Sequence, residues 1–520
     1  MNAFKRAWRY ITRRPTKSLL LIITFFLIGN LVILGLGISQ AADNAKVLTR
    51  KQMRAAVSYE VDYDKYYEYV NTLEDEDEIN KAYQNYPRVS EEAAIAISQD
   101  ERVKAFNYMM TTTAMSDGFE NVPIGNEEER GTSSYVDEAG NEVVYREPNL
   151  MIYANLFPEM IEFEEGTFTV TDGKMYDQND LDQERNVVLI TDELAETNGL
   201  RVGDTIRIST LNTYMEQEFK AHNLDTEVFF LELEIIGIFH NLNMVDPNAE
   251  NFRWMSAYES PQNILLMPMT AYRNYYRDTL RAQIEFQQIA YSDSSINVEE
   301  AIENNLAPSR VVYLLIDPLE VDQFVEDHQK DIGEYLKLNA NNETFKRLAR
   351  PLDTMSFFAN IVVWIVIVNA IVIITLVTAL TLKTREYEIG VLLSMGVSKV
   401  KVILQLFTEL FILALLGFTL AVGSGSLMAG TVGRAVLDYQ TASDSQYGEV
   451  EDGGYYWHDS TDYFTEVSQD EMLSQYEVSV SPLLIFEIYV LGTAVVLIAI
   501  VIPSFMIMRL NPKQILLEQN

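Results

Sequence analysis

Four long apolar runs constrain this chain more than any other feature of its sequence. They occupy residues 19–38, 357–382, 402–422 and 483–508, and each exceeds the roughly 18 residues that indicate a membrane-crossing helix. The first run is too long for the apolar core of a removable signal peptide, and no small-residue cleavage site is obvious after it. The sequence therefore predicts four membrane-spanning helices.

The long segment between the first and second runs, residues 39–356, is large enough to hold a hydrophobic core of its own. Its apolar and turn patterns mix strands and helices without a strict βαβ alternation, which favours an α+β domain. We predict strands at 55–63, 103–109, 187–190, 205–208, 228–239 and 313–316, helices at 91–99 and 192–198, a helix from Asp317-Pro318 towards Leu336, and a loop at 116–149. The expected fold class is a membrane protein with four transmembrane α-helices and a large α+β extracytoplasmic domain between the first and second spans.

Charge is distributed unevenly along the chain, whose formal net charge is −37. Residues 1–42 carry six basic and no acidic side chains, whereas residues 431–482 carry eleven acidic side chains and one basic one. The positive-inside bias then predicts cytoplasmic N- and C-termini and a cytoplasmic connection at 383–401. The acidic excess argues against nucleic acid as a partner; it permits a cationic partner, although a solvated acidic surface is the simpler explanation.

These patterns divide the chain into nine segments. In order they are a cytoplasmic or interfacial amphipathic helix (1–18), transmembrane helix 1 (19–38), stalks and the extracytoplasmic domain (39–356), transmembrane helix 2 (357–382), a cytoplasmic coupling helix (383–401), transmembrane helix 3 (402–422), an extracytoplasmic acidic loop (423–482), transmembrane helix 4 (483–508) and a cytoplasmic tail (509–520). For residues 2–17, a plain orientation signal is the alternative to a helix lying on the membrane.

The connection at 383–401 combines a basic character with helical spacing. Lys383, Arg385, Lys399 and Lys401 provide its positive charge. Its apolar residues Ile389, Leu392, Leu393 and Val397 recur at the spacing of one helix face. We therefore expect a short helix that faces the cytosol, where a soluble partner can push it and move both flanking spans.

Two carboxylates and several glycines lie within or beside the apolar runs. Glu409 is a functional candidate because ionisable groups inside a membrane are costly; the alternative is a carboxylate hydrogen-bonded between helices or lying near the headgroups. Glu487 lies closer to the outer end of its span, and we expect it to extend towards the headgroups. Gly417, Gly423, Gly425 and Gly430 favour close packing of helices.

Signatures of independent chemistry are missing from the sequence. The four histidines, His222, His240, His328 and His458, show no metal-ligand spacing, and the acidic run 74–78 lacks the glycine turn of a calcium loop. There is no G-x-S-x-G, H-E-x-x-H or phosphate-binding loop. We expect no catalytic residue, metal or cofactor in this chain, so any nucleotide energy must come from another polypeptide.

Several motifs resemble those of the MacB/FtsX/LolC–LolE group of ABC transporter permeases. Residues 385–396, REYEIGVLLSMG, match the group's R-x-x-E-I-G-x-L-x-x-x-G signature. Gln405 and Glu409 followed by Gly417 match its third span, and residues 510–516, LNPKQIL, resemble its L-x-P-x-x-x-L tail. The segments VVLITDELAETNGLRVGDTIRI and VFFLELEIIGIF are similar to its extracytoplasmic core domain.

This resemblance implies a non-catalytic permease that works with other subunits. The implied partners are two ABC-type ATPase subunits that hold ATP and Mg²⁺, a second permease in a homo- or heterodimer, and membrane lipids. The residues implied in coupling to the ATPase are Arg385, Glu386, Glu388, Ile389, Gly390, Leu392, Met395 and Gly396, and those implied in transmembrane packing or switching are Glu409, Gly417 and Gly423. Residues 39–54 and 344–356 would form the stalks, whereas the acidic loop is longer than the group's usual hairpin.

Two functions remain open at this point. In the first, the protein sits in the plasma membrane of a bacterium and turns cytosolic ATP cycles into movement of an extracellular domain, for export or extraction of an amphipathic peptide, antibiotic or lipid-linked molecule. In the second, it is an FtsX-like mechanical regulator of an extracellular cell-wall hydrolase. A membrane-anchored enzyme acting alone has no nucleophile–base or metal constellation to support it.

Overall fold

The computed structural model describes residues 8–9, 11–13, 15–123, 134–136, 142–243, 256–291, 298–340, 342–444 and 469–509. The chain divides into two compact units. We call residues 1–52, 343–455 and 466–520 the membrane unit, and residues 53–342 and 456–465 the outer unit. Each unit is described separately.

The described part of the chain contains sixteen α-helices and twelve β-strands. In the first half they are α1 (Pro15–Gln52), β1 (Ala56–Val61), α2 (Tyr63–Val70), α3 (Glu76–Gln84), α4 (Glu91–Ser98), β2 (Val103–Asp117), β3 (Ser134–Val136), β4 (Glu142–Val144), β5 (Leu150–Asn155), α5 (Ile161–Glu164), β6 (Phe168–Gly173), α6 (Gln178–Asp182), β7 (Val187–Thr191), α7 (Asp192–Asn198), β8 (Thr205–Ser209), α8 (Thr213–Ala221) and β9 (Phe230–Asn241). They continue with β10 (Ile264–Pro268), α9 (Met269–Tyr291), α10 (Val298–Asn305), β11 (Arg310–Leu315), α11 (Val321–His328), β12 (Leu336–Asn339), α12 (Asn342–Thr384), α13 (Glu386–Ser394), α14 (Lys399–Asp444), α15 (Gln469–Ser474) and α16 (Pro482–Arg509).

A ten-stranded mixed sheet forms the centre of the outer unit. Nine strands follow the order β12-β1-β11-β2-β5-β10-β7-β9-β6, and β8 pairs with β2 and β9. The pairs β5–β10 and β7–β9 are parallel, while the other pairs of this sheet are antiparallel. This mixed, mainly antiparallel pairing confirms the predicted α+β class.

Strand β7 shows why the sheet is covered on both faces. All five of its residues are buried. Because successive side chains of a strand point to opposite faces, Val188 and Ile190 join one apolar cluster, and Val187 and Leu189 join another. A continuous apolar run in the sequence therefore indicates a central strand with packing on both sides.

The helix after β7 begins and ends where the sequence predicts. The Thr191 hydroxyl accepts a hydrogen bond from the backbone of Leu194 at the N-terminus of α7. At its other end, Gly199 has a φ of +66°, a left-handed conformation that favours glycine. Ser90 caps α4 in the same way as Thr191 caps α7, also as predicted.

The helix predicted from Asp317 towards Leu336 is wrong in its second half. Asp317 accepts a hydrogen bond from Leu319 and opens a short 3-10 turn, but α11 ends at His328. Residues Leu336–Asn339 form strand β12, which pairs antiparallel with β1. Leu336 and Leu338 are buried while their neighbours are not, which is the period of two expected for an edge strand.

The loop predicted at 116–149 is also partly wrong. Strand β2 continues to Asp117, and β3 pairs with β4 in a small antiparallel hairpin. Residues 124–133 and 137–141 of the predicted loop lie outside the described residues.

Four helices of the membrane unit are long and apolar enough to cross a bilayer, and they carry the four predicted runs. Close packing at glycine and side-chain hydrogen bonds connect these helices to one another. Gly417 of α14 lies against Phe25 of α1, and Thr375 of α12 donates a hydrogen bond to the Ala499 carbonyl of α16. Helix α16 continues through Pro503.

Helices α1 and α12 extend well beyond their apolar runs, and the extensions contact each other. The hydroxyls of Ser39 and Ser356 are 2.8 Å apart. Lys46 Nζ lies 2.7 Å from Asp353 Oδ1. The guanidinium of Arg50 sits 5.3 Å from the ring centroid of Phe345. Residues 39–52 and 344–356 are thus helical, as predicted for stalks.

The helix that carries the third predicted span is longer than that span, because α14 does not end at Val422 but continues to Asp444. Glycine alone does not end a membrane helix, and no proline interrupts residues 399–481. The start of the predicted acidic loop is therefore helical, and residues 445–468 lie outside the described part. Residues 8–9, 11–13 and 15–18 are helical, whereas 1–7, 10, 14 and the 510–520 tail lie outside it.

Candidate functional site: the connection between the second and third membrane helices

The connection at 383–401 folds as a single short helix with a defined end. Helix α13 starts after Arg385 and stops at Ser394. Gly396 has a φ of +87°, and the amide of Val397 donates to the Leu392 carbonyl, which is the pattern of a glycine-terminated helix. The predicted coupling range 383–401 is therefore longer than the helix, because its ends belong to α12 and α14.

One face of α13 is packed into the membrane unit. Ile389 is buried, and it shares an apolar cluster with Leu382 of α12 and with Val402 and Leu406 of α14. Leu393 packs against the same cluster. The apolar face of α13 thus packs between the ends of α12 and α14, as its apolar spacing predicts.

A buried ion pair joins the connection to the third span. Nη1 of Arg385 lies 2.8 Å from Oε2 of Glu409, and the two side chains are only 9% and 5% exposed. Gln405 donates a second hydrogen bond, of 2.9 Å, to Oε1 of the same carboxylate. The Arg385 Nε also lies 3.4 Å from Glu388 Oε2 on α13. Arg385 therefore connects the start of α13 to the interior of α14.

The fourth membrane helix is tied to the same region. Lys399 Nζ donates a hydrogen bond of 2.6 Å to the backbone carbonyl of Met508, in the last turn of α16. A lysine at this position binds a carbonyl that has no partner within the helix and complements the helix dipole. The connection therefore contacts α12, α14 and α16 together.

The opposite face of the connection is open to solvent. Tyr387 is 51% exposed, Met395 67% and Val400 72%. The Glu388 side chain is also largely exposed, and Leu392 is half-buried. Arg385, Ile389 and Gly390 are buried, so these three of the eight predicted coupling residues hold the helix in place rather than present a surface.

Two family models match the chain over most of its length. The MacB-like periplasmic core domain matches residues 51–305, and the FtsX-like permease C-terminal domain matches residues 360–512. The chain is an ABC transporter permease of the MacB/FtsX type. The boundary between the two matches falls close to the boundary between the outer unit and the return of the chain into the membrane unit.

One relative aligns with most of this permease. It is the uncharacterized ABC transporter permease YclI of Bacillus subtilis (strain 168), which is 27% identical over 442 residues, 82% of this chain and 80% of the relative. Membership of this family implies an ATPase partner, and permeases of the family are in general not the catalytic subunit.

Two solved structures align with the permease at low similarity. The extracellular domain of the noncanonic ABC-type transporter YknZ from Gram-positive bacteria aligns at 8% identity and a TM-score of 0.26, covering 55% of this chain and 99% of that one. The periplasmic region of MacB from Actinobacillus actinomycetemcomitans aligns at 8% identity and a TM-score of 0.27, covering 56% and 90%.

Of the glycines predicted to favour close helix packing, Gly417 and Gly425 make close approaches within the chain, Gly425 against Ile33 of α1. A Cβ built on Gly417 would lie 2.5 Å from Phe25 Cβ and 3.0 Å from the Ile22 carbonyl oxygen. A Cβ on Gly423 would meet no atom within 4 Å, so the tight packing predicted there is not found within one chain. Gly29 and Gly492, which the sequence analysis missed, lie against Phe418 of α14.

The second intramembrane carboxylate also has a partner. Glu487 lies in the second turn of α16 and accepts a 3.0 Å hydrogen bond from Gln40 of α1. It is half-buried, so the prediction that it simply extends to the headgroups missed this contact between helices. A polar residue on a facing helix is the signal that could have found it.

In the outer unit, the described residues bring one histidine together with two carboxylates. Potential ligand atoms of Asp192, Glu193 and His240 lie within 4.8 Å of one another, although spacing along the chain gives no hint of this. His240 Nδ1 donates a 2.8 Å hydrogen bond to Asp192 Oδ2, which accounts for their arrangement without an ion. Glu193 Oε2 is buried without a hydrogen-bond partner among the described residues.

Glu193 makes the outer unit sensitive to pH. Burial first, and then the adjacent Asp192 carboxylate, raise the pKa of Glu193 to about 7 from its ordinary value of 4.5. A raised carboxyl pKa means that the folded state holds a proton that the unfolded state has released, so stability falls as pH rises from about 4.5 to about 7. Burial alone would raise the pKa of Asp192, but hydrogen bonds with Glu193 and His240 outweigh it and hold that pKa below its ordinary value.

The melting temperature of the parent should fall as the pH is raised from 5 to 8. We therefore expect a smaller fall over the same range for Glu193→Gln, which has no carboxyl group to titrate at this position. Glu196→Gln removes a charge from an exposed position of the same helix and serves as the control. The measurement is thermal unfolding of the outer unit in the intact chain across this pH range. Parallel pH profiles for the parent and Glu193→Gln would contradict the prediction.

Proposed function

We propose that this permease turns the ATP cycle of a separate ATPase into movement of its outer unit, and thereby exports or extracts an amphipathic substrate such as a peptide, an antibiotic or a lipid-linked molecule. It acts in the plasma membrane of a bacterium with both termini in the cytosol and the outer unit outside the cell. The partner ATPase dimer holds ATP and Mg²⁺, and a second permease completes the transporter as a homo- or heterodimer.

The observation that carries this proposal is the way α13 is held. Its apolar face is packed between α12 and α14, and the Arg385–Glu409 ion pair connects the residue just before the helix to the interior of α14. Because both charges are almost fully removed from solvent, separating them is costly, and the pair resists relative movement of the two helices. A force applied to α13 is therefore passed to α12 and α14 instead of being absorbed by a flexible loop.

The lengths of the flanking helices explain how such a force travels. Helix α12 contains 43 residues and α1 contains 38. At 1.5 Å per residue these are about 65 Å and about 57 Å long, roughly twice the 30 Å thickness of the hydrocarbon core. The excess lies in the extensions that are linked by Ser39–Ser356 and Lys46–Asp353. Continuous helices of this length are suited to transmit displacement out of the membrane.

The exposed face of the connection is suited to receive an ATPase. This face exposes the side chains of Tyr387, Met395 and Val400. A solvent-facing surface that binds no partner is usually polar, so exposed apolar side chains indicate an interaction site. Aromatic and methionine side chains are enriched at protein interfaces. We infer that this face contacts the ATPase, whereas the buried face transmits its movement.

The proposal is tested with Tyr387→Ser/Met395→Ser in a complex of the permease and its ATPase. We expect stimulation of ATP turnover by the permease to fall at least about tenfold, because an interface that loses two central anchors typically loses more than about 2 kcal/mol. The measurements are ATP turnover in nanodiscs and co-purification of the ATPase.

Tyr214→Ser is the matched control, since it removes an equally exposed tyrosine from the outer unit. The double variant is expected to melt at the temperature of the parent, because neither side chain is buried. Unchanged stimulation and unchanged ATPase recovery in the double variant would reject this face as the coupling surface.

A further inference from the structure

Seven tyrosines gather on one part of the outer unit. Six belong to or follow helices α2 and α3, and the seventh directly precedes β12. We call this group the tyrosine surface; its members are Tyr63, Tyr66, Tyr67, Tyr69, Tyr83, Tyr86 and Tyr335. Neither the ATPase coupling nor the proposed transport function uses it.

One tyrosine holds the surface together. Tyr66 is 2% exposed, and its hydroxyl donates a hydrogen bond to the Ala82 carbonyl of α3. Its ring makes edge contacts with Tyr86 and Tyr335, at centroid distances of 5.1 Å and 5.4 Å. Tyr66 alone thus provides the buried aromatic anchor between α2, α3 and β12.

The tyrosines around this anchor are largely open to solvent. Tyr63, Tyr67, Tyr69 and Tyr83 are between 39% and 54% exposed. Two pairs nevertheless lie ring to ring: Tyr63 and Tyr67 are stacked at 6.4 Å, and Tyr69 and Tyr335 at 5.2 Å. Because the stacked rings already restrict each other's movement, these side chains lose little conformational entropy when a partner binds.

The charge around the rings is strongly negative. Residues 62–86 contain eight acidic side chains and two basic ones, Lys65 and Lys81. Asp64 and Glu68 of α2 are exposed beside the tyrosines, and α3 has three acidic residues in its first turn. Such a surface attracts a positively charged partner and repels an acidic one.

The chain itself shows how a cation binds to these rings. Lys65 Nζ lies 5.8 Å from the ring centroid of Tyr335, within the range of a cation–π contact. An exposed array of tyrosines rimmed by carboxylates therefore offers both groups that recognise lysine and arginine side chains: aromatic faces and negative charge. A neutral saccharide would stack on the rings and donate hydroxyl hydrogen bonds to the carboxylates, but it would gain no charge–charge attraction from them.

We propose that the tyrosine surface is a docking site for a lysine- or arginine-rich polypeptide segment outside the membrane. The rings bind the cationic heads and their alkyl stems, and the flanking carboxylates draw the segment in and fix its register. Arginine is favoured over lysine, since its planar guanidinium stacks on aromatic faces.

The test uses the full chain in nanodiscs of neutral lipid at physiological salt. The probe is a fluorescein-labelled (Arg-Gly)₆ peptide, and binding is followed by fluorescence anisotropy. We expect the peptide to bind the parent, and Tyr67→Ala/Tyr69→Ala to bind it about tenfold more weakly, because two exposed cation–π contacts are lost. Tyr67→Phe/Tyr69→Phe keeps both ring faces and should bind within about twofold of the parent.

Two further variants separate this site from general attraction to an acidic protein. Tyr214→Ala removes an exposed tyrosine elsewhere in the outer unit and should leave peptide binding unchanged. Asp64→Asn/Glu68→Gln alters neither a ring nor a buried group, so it is expected to fold normally while weakening binding several-fold.

Two results would overturn the proposal. The first is that the parent and both variants of the tyrosine surface, Tyr67→Ala/Tyr69→Ala and Asp64→Asn/Glu68→Gln, bind the peptide with equal affinity. The other is ring-dependent binding of a neutral chitohexaose by calorimetry without ring-dependent binding of the peptide, which would identify a carbohydrate platform instead.

Discussion

Arg385→Met is expected to destabilise the membrane unit by about 3–5 kcal/mol, because it leaves the Glu409 carboxylate buried without its counter-charge. Gln405 remains as a hydrogen-bond donor, but one neutral amide does not replace a guanidinium. The same variant should strongly reduce stimulation of the ATPase, since the start of α13 is then no longer held to α14. Thermal unfolding in detergent and ATP turnover in nanodiscs measure the two effects.

The double variant Arg385→Met/Glu409→Met shows whether the loss comes from an unpaired charge. Replacing both members of a buried ion pair by apolar side chains is often neutral or stabilising, so most of the lost stability should return. Lys401→Met is the control for the loss of a basic residue, because Lys401 is exposed on the same connection. If the single variant melts like Lys401→Met, the ion pair does not hold the helices.

Gly417→Ala is expected to have the second large effect, through packing instead of charge. The added Cβ would lie 2.5 Å from Phe25 Cβ and 3.0 Å from the backbone oxygen of Ile22. A backbone atom cannot move aside as a side-chain tip can, so α1 and α14 must separate. Overpacking of this kind costs about 1–3 kcal/mol. Unfolding in denaturing detergent or by heat measures this cost.

Gly423→Ala is a closely matched control for Gly417→Ala. It makes the same change six residues further along α14, where a Cβ meets no atom within 4 Å. We expect it to unfold like the parent or slightly later, because alanine favours the helix over glycine. Equal destabilisation by both changes would mean that intrinsic helix effects, and not the contact with α1, determine the result.

Much of the outer unit follows from patterns that are local in the sequence. Thr191, the apolar run of β7 and Gly199 together determine a buried strand, a capped helix and its end, and each signal lies within a few residues of the element it controls. The prediction failed where a distant partner decides. The helix predicted from Asp317 ran on towards Leu336, but pairing with β1, more than 270 residues earlier, makes Leu336–Asn339 a strand.

The membrane unit shows the same division. Length and hydropathy suffice to predict its four spans, because only a helix satisfies the backbone in a bilayer. The continuation of α14 to Asp444 was missed, since its glycines and polar residues resemble a loop when their helical context is unknown.

The sequence by itself determined the four long apolar helices, the uneven distribution of charge along the chain, and the short amphipathic helix of the connection. These features depend on composition and periodicity, which are properties of neighbouring residues. Only the tertiary structure decided that Arg385 pairs with Glu409, that Gly417 and not Gly423 lies against another helix, and that seven tyrosines share one surface. Such pairings depend on which side chains meet when segments distant in the sequence pack together. A local sequence pattern does not show which distant residues come into contact.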